Sequence, residues 1–405
     1  MELKYPLILD GATGTQLQKR GFDGSICPER WCIENPEIIG AIQCEYVEAG
    51  SNIIYTPTFG ANRVKLESHG LFNKVEEYNL ALAAIARKSA GDKAFVAGSM
   101  APTGKFIYPL GDQSFEDFVE IYTEQAAALE KAGVDLFVIE TMMTLPEARA
   151  AVLAVKSVSR KPIFVSFTCD ANGRTLTGTD VTAALVVMEG MGVSAFGLNC
   201  SAGPREMLPQ IKRLYEISSL PIIAKANAGM PQMVDGKTVY NCPPEEYASY
   251  IPALAAAGAK IFGGCCGTDS AHIAAIAAAA KQAELAPIAP KYAEFLPCAT
   301  EKQPFFLDVE TEIGAALEVS EDFEDDLMDA LEEDDDIIAV SISSKEELDN
   351  FADCQYMISK PLCLVCEDAE ILEKALRLYQ GRALYEGSLD DEALMPLVEK
   401  YGLII

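Results

Sequence analysis

The sequence predicts a closed (β/α)8 barrel of the TIM type followed by a small acidic α/β domain. Three observations predict it. Eight short runs rich in Val, Ile, Leu and Phe recur through residues 7–266. A longer stretch with apolar residues at helical spacing follows each run. Acidic residues then crowd the end of the chain while the β/α alternation resumes.

The eight runs are residues 7–10 (LILD), 53–58 (IIYTPT), 94–99 (AFVAGS), 135–141 (DLFVIET), 163–169 (IFVSFTC), 195–200 (AFGLNC), 222–227 (IIAKAN) and 260–266 (KIFGGCC). They are apolar on both faces, as parallel strands covered on both sides must be. The helical stretches cover 37–49, 75–88, 115–132, 146–157, 182–191, 205–217, 245–257 and 271–281. Gly50, Gly133, Gly192 and Gly258 stand just past four of them, where a left-handed helix cap favours glycine. A doubly wound open sheet is the runner-up, weakened because no G-x-G-x-x-G opens a helix. The barrel is expected over residues 1–286, a proline-rich linker over 287–304 and the acidic domain over 305–405.

Composition narrows the function classes. The net charge is −29, and residues 301–405 hold 29 acids against 7 bases. Such a surface disfavours nucleic acid and anionic membranes as partners, since both are polyanions. The alanine-rich runs at 253–259 and 273–280 are too short to span a bilayer. The start of the chain has no basic segment leading into a long apolar one, so it does not read as a signal peptide. Twelve cysteines then read as reduced thiols and metal ligands, and the expected compartment is cytoplasmic. Those at 27, 32, 44, 169, 242, 298 and 354 read as small buried hydrophobes. Cys363 and Cys366 read as core residues of a strand.

Barrel active sites sit at the C-terminal ends of the strands. The residues there are Asp10, Thr58, Ser99, Glu140, Cys169, Cys200, Asn227, Cys265 and Cys266. Cys200 closes the sixth run, and Cys265 and Cys266 close the eighth, one neighbour away. Adjacent cysteines on a regular strand point to opposite faces. Gly263, Gly264 and Gly267 would let the backbone depart from that geometry so that both thiols face one ion. Three thiolates suit zinc and leave a fourth position open, the mark of a catalytic site. Buried structural cysteines, or a closed structural site, are the bland alternative. His272 is a weak candidate ligand, and His69 reads as a surface residue.

An open position accepts water or a thiol. Three thiolates on Zn²⁺ leave a net charge of −1, which disfavours hydroxide but leaves a bound thiolate reactive with no separate general base. Asp10 and Glu140 would hold an ammonium group, and the Asp10–Gly11–Ala12 turn would offer N–H groups to a carboxylate. Together these describe a pocket for an amino acid bearing a thiol.

The segments DGATGTQLQKRG, YTPTFGAN, SMAPTG, VIET, GLNCSAGP and GGCCGT resemble the homocysteine S-methyltransferase family, most of all the homocysteine-binding module of cobalamin-dependent methionine synthases. The resemblance covers residues 5–285. It implies catalytic zinc on Cys200, Cys265 and Cys266, with the homocysteine thiolate as fourth ligand. It also implies that Asp10 and Glu140 contact the substrate amino group, with the backbone at Gly11 and Ala12 and the side chains of Thr58 and Ser99 nearby.

Members of the family take methyl from methylcobalamin, betaine or S-methylmethionine. A corrinoid module of the methionine synthase type shows D-x-H-x-x-G. Here Glu67 stands two before His69 and Ser270 two before His272, so the module is not in this sequence. The leading expectation is a methylcorrinoid supplied by a partner protein or a missing domain. A small donor is second; betaine would need an aromatic cage, for which Trp31, Phe59, Phe106 and Tyr108 are candidates. A zinc hydrolase or aldolase, and a non-catalytic scaffold, are further alternatives. Residues 361–405 resemble part of the pterin-binding barrel that follows the homocysteine module in methionine synthases, either as a remnant or as a fragment of a longer chain.

Overall fold

The computed structural model describes residues 4–234, 237–288 and 295–405. Eight parallel strands form one sheet: Leu7–Ile8, Ile53–Tyr55, Phe95–Met100, Leu136–Met142, Ile163–Phe167, Ala195–Cys200, Ile222–Ala226 and Ala259–Gly264. In ladder order the first strand lies beside the eighth, and the seventh to the second follow in turn. This is the (β/α)8 barrel expected. Residues alternate between two cores with the period of a strand. Leu9, Tyr55, Val138, Phe164 and Ile223 fill the interior. Ile8, Ile54, Phe137, Ile139 and Phe196 pack outward against the helices.

The barrel closes through side chains between its first two strands. The Asn52 N–H donates to the Ile8 carbonyl at 2.7 Å, and Asn52 Oδ1 accepts the Ile8 N–H at 2.9 Å. Asp10 Oδ2 then takes the Tyr55 N–H at 2.8 Å. The regular first strand is Leu7–Ile8, but its bonding to the eighth strand runs on through the Leu9 N–H to the Phe262 carbonyl and the Gly264 N–H to the Asp10 carbonyl, over the four residues expected, while the Asp10 side chain supplies a bond toward the second strand.

The barrel helices lie within a few residues of their expected bounds, and Gly50, Gly133, Gly192 and Gly258 all take positive φ. Residues 245–257 differ: they break into Pro244–Ser249 and Ile251–Ala256. Pro252 has no N–H to continue the ladder, so the helix restarts there. Short helices at Gly14–Lys19, Pro28–Glu34 and Arg63–Glu67, and a hairpin of Gln232–Val234 with Lys237–Val239, were not anticipated.

The C-terminal α/β unit is built on four parallel strands in sequential order, Leu317–Glu318, Ile338–Ser341, Leu362–Val365 and Leu384–Glu386. Helices Phe323–Glu332, Lys345–Cys354 and Ala369–Leu378 connect them. An antiparallel pair, Leu296–Ala299 with Pro304–Leu307, packs Cys298 and Leu307 against Ala339, Cys363 and Ile404. Part of the stretch read as a linker is therefore a strand, while residues 289–294 lie outside the described residues. Cys363 and Cys366 are both buried, as expected of a core strand. Of the seven cysteines expected to be buried, Cys27, Cys32, Cys298 and Cys354 are, whereas Cys169 and Cys242 are half-buried and Cys44 is exposed on its helix.

Arg149 docks this unit on the barrel. It lies on helix Leu145–Val158 and is 1 % exposed. Its guanidinium donates to Gln380 Oε1 and to the Leu376 carbonyl, both at 2.8 Å, and stacks on Phe115. Burial lowers its pKa to about 10, so it stays charged at neutral pH. Removing it strands two buried acceptors. Arg149→Ala is expected to lower stability by about 3 kcal/mol, read as an earlier urea midpoint. A change within about 0.5 kcal/mol would show the contact to be dispensable.

Candidate metal and substrate site

The thiols of Cys200, Cys265 and Cys266 lie within 4.8 Å of one another, with Cys200 Sγ 4.0 Å from Cys266 Sγ. Three thiolates around zinc at about 2.3 Å each stand roughly 3.8 Å apart. The cluster thus fits such an ion with little movement.

The backbone reaches this arrangement by another route than the one the glycines suggested. The eighth strand ends at Gly264, and Cys265 and Cys266 lie in the turn beyond it. Of the three glycines only Gly267 has a positive φ, 85°. Gly263 and Gly264 are needed for space. A Cβ on Gly263 would sit 2.8 Å from Leu9 Cβ, and one on Gly264 would sit 2.4 Å from Thr268 Oγ1. The unusual conformation falls on Cys200 and Ser201 instead, with φ of 60° and 54°. Non-glycine residues held there cost about 1–3 kcal/mol each. Ser201 is fixed by its Oγ, which accepts the Cys169 N–H at 2.9 Å and bonds Thr168 Oγ1.

The three thiols do not share their protons evenly. Hydrogen bonds from Cys200 and Cys265, helped by Tyr240 and opposed by burial, pull the Cys266 thiol down to about 3. Its hydrogen bonds with Cys265 and Cys266, together with burial, push the Cys200 thiol far up. Were all three thiols ionised, sulfurs at this spacing would repel, and a positive ion would offset that. Asn199 adds a donor, with Nδ2 3.9 Å from Cys265 Sγ. Asn227, on the strand end between the two cysteine-bearing ones, keeps Oδ1 buried without a hydrogen-bond partner.

A cavity of about 290 Å³ opens over the cluster. Asp10, Gly11, Ala12, Ser99 and Glu140 all line it, as expected. Glu140 Oε1 accepts the Ser99 hydroxyl at 2.7 Å. Burial raises the Glu140 carboxyl to about 7, against the pull of Lys225 and of Ser99. Asp10 is also raised by burial and drawn back by Lys225. A bulge aims Glu140 inward: the register with the fifth strand shifts between Ile139 and Met142, and Thr141 has a φ of 59°. Asn199 clamps that bulge, accepting the Thr141 N–H at 2.8 Å and donating to Thr141 Oγ1 at 2.7 Å.

Several expectations need revision. Thr58 is fully buried behind the cavity and donates to the Ser99 carbonyl at 2.7 Å, so it supports Ser99 rather than facing the cavity. The Ala12 N–H is taken by Thr268 Oγ1 at 3.1 Å and is not offered to a ligand. Cys169 stays outside the cysteine cluster. Both ring nitrogens of His272 are engaged, with Asp269 Oδ1 at 2.7 Å and the Cys242 carbonyl at 3.0 Å, and His69 is exposed. The proposed aromatic cage does not assemble: Trp31 stacks on Phe22, Phe106 and Tyr108 line a different cavity, and only Phe59 reaches this one. Sequence reasoning missed Lys225, Tyr240, Thr141 and Asn199. A lysine within an apolar strand was the one legible signal among them.

The homocysteine S-methyltransferase family model matches residues 7–280. Methionine synthases of Mycobacterium leprae and Mycobacterium tuberculosis are each 33% identical over 293 residues, covering 67% of this chain and 24% of theirs. The chain therefore spans about a quarter of the length of those curated relatives. Two crystal structures of the homocysteine methyltransferase MmuM from Escherichia coli, oxidized and metallated, align with TM-scores of 0.58 and 0.57 at 26% identity, over 67% of this chain and 95% of MmuM. On its fold, its strand-end cysteines and these likenesses, the chain belongs to the homocysteine S-methyltransferase family.

Proposed function

We propose that the protein methylates the thiol of homocysteine to give methionine, with zinc held by Cys200, Cys265 and Cys266. The observation that carries this reading is three sulfurs within 4.8 Å opening onto a cavity that also holds Asp10 and Glu140. A zinc ion there would strip the proton from an incoming thiol, so no side chain need act as base. The chain's own residues position the substrate. Ionised Glu140, oriented by Ser99, accepts the ammonium group, and Asp10 offers a second carboxylate. The substrate sulfur then forms its bond to the methyl carbon as the bond from that carbon to the donor breaks.

The donor in this reading is a methylcorrinoid on a partner protein or on a part of the protein beyond this chain. The scattered aromatic residues argue against betaine. The loops around the barrel mouth leave Phe59, Tyr108, Leu110, Leu176, Met230 and Met233 exposed, which suits a large partner better than a small donor. The negative thiolate set argues against a hydrolase. Residues 305–405, with four sequential parallel strands, fit the reading as part of a barrel of the pterin-binding kind. Free thiols at all twelve cysteines suit a reducing cytoplasm, and no helix among the described residues is long and apolar enough to cross a membrane.

Metal analysis and a methionine assay test the reading. One zinc per chain is expected, and Cys200→Ser, Cys265→Ser or Cys266→Ser should each lose most of it and about 100-fold or more of the activity. Methionine should form from homocysteine with methylcobalamin and not with betaine or S-methylmethionine. Zinc bound but no methionine from any donor would point to a scaffold or a hydrolase.

Glu140 supplies a second test. Its protonated form cannot pair with an ammonium, so KM for homocysteine should rise as pH falls through about 7. Glu140→Gln should raise KM by about 10- to 100-fold and flatten that limb. An unchanged pH profile in the variant would remove Glu140 from substrate binding.

A further inference from the structure

Lys225 has no part in the reading above, yet it lines the same cavity. It belongs to the seventh strand, and its side chain is 4 % exposed. Its ammonium donates to the Gly264 carbonyl at 2.7 Å, lies 3.4 Å from Asp10 Oδ1 and stands 4.9 Å from the Tyr55 ring centre. Gly264 immediately precedes the cysteine pair. Asp10 is a carboxylate of the proposed amino-group end. One buried cation therefore touches both halves of the site.

We infer that Lys225 is a positioning residue that fixes the Asp10 carboxylate against the cysteine turn and sets the cavity's selectivity for a thiol bearing one ammonium group. The inference rests on the proposed homocysteine chemistry. Burying an ammonium costs several kcal/mol, which packing alone does not require. Gly263 leaves room for the lysine stem, since a Cβ there would lie 3.2 Å from Lys225 Cγ. Asp10 Oδ1 is buried with no hydrogen-bond partner and only the 3.4 Å contact with Lys225, so the ammonium is the one charge that steadies this oxygen. The charges also match. Asp10 and Glu140 together carry −2 when ionised, and Lys225 returns +1, leaving one negative charge to meet one ammonium. Without Lys225 the two carboxylates would face the cavity uncompensated and favour holding a proton between them.

The test compares Lys225→Met, Asp10→Asn and the double variant in the zinc-loaded full chain. The ligands are homocysteine and its des-amino analogue 4-mercaptobutanoate, with binding followed by calorimetry and zinc loss by chelator competition. Lys225→Met is expected to weaken homocysteine by about 10-fold or more while changing the analogue little, and to speed zinc loss. The double variant is expected to bind homocysteine no more weakly than Asp10→Asn alone, because both changes break one unit. An unchanged preference for homocysteine over the analogue, or additive losses, would overturn the inference. Should Lys225→Met fail to fold, the double variant removes both charges, and its comparison with Asp10→Asn decides. Wild-type protein that binds zinc but not homocysteine would sink the proposed function itself rather than the role of Lys225.

Discussion

The meeting of three thiols from separate strand ends is the constraint on which this molecule turns. Cys200, Cys265 and Cys266 are brought within 4.8 Å by two strand ends that are not neighbours in the sheet. Nothing in an apolar core favours such a meeting, and the backbone bears strain to make it, with left-handed φ at Cys200 and Ser201. The surrounding structure holds that strain in place. Ser201 is bound to the Thr168 and Cys169 corner, and Asn199 ties the sixth strand to the bulge at Thr141. The cavity that holds Asp10 and Glu140 opens directly over the three thiols.

The barrel was legible in the sequence because its strands are buried on both faces. Continuous apolar runs, each followed by a 3.6-residue pattern and a glycine cap, leave few other architectures. Strand-end chemistry was legible for the same reason: once the runs are placed, Cys200, Cys265 and Glu140 fall at their ends. The missed features were those that depend on close approach in three dimensions. The reason Gly263 is glycine is the crossing of Leu9, which no local pattern reports. Thr58 falls at a strand end like Ser99 does, but its hydroxyl turns back onto a carbonyl. Pro252 breaks a helix whose apolar spacing continues undisturbed through it.

The C-terminal unit illustrates how a strongly acidic segment can pack on a barrel. Its acids lie mainly on exposed helix faces and turns, while the seam with the barrel is served by Arg149 and by Arg377 paired with Glu116. Arg377, half-buried, grips Glu116 through two hydrogen bonds and also donates to the Tyr401 hydroxyl, so this pair adds to the seam. The buried guanidinium, engaged by two neutral acceptors and an aromatic face, makes the join specific rather than merely adhesive.

The closure between the first two strands has a consequence for how this enzyme family member could diversify. Because Asp10 hooks the Tyr55 N–H, the same carboxylate is a staple in the hoop of the barrel and a wall of the cavity over the cysteines. Replacing it would change the cavity and loosen the hoop at once. Glu140, held by the Ser99 hydroxyl, closes no such joint, so the cavity can be reshaped from the fourth strand without disturbing the hoop.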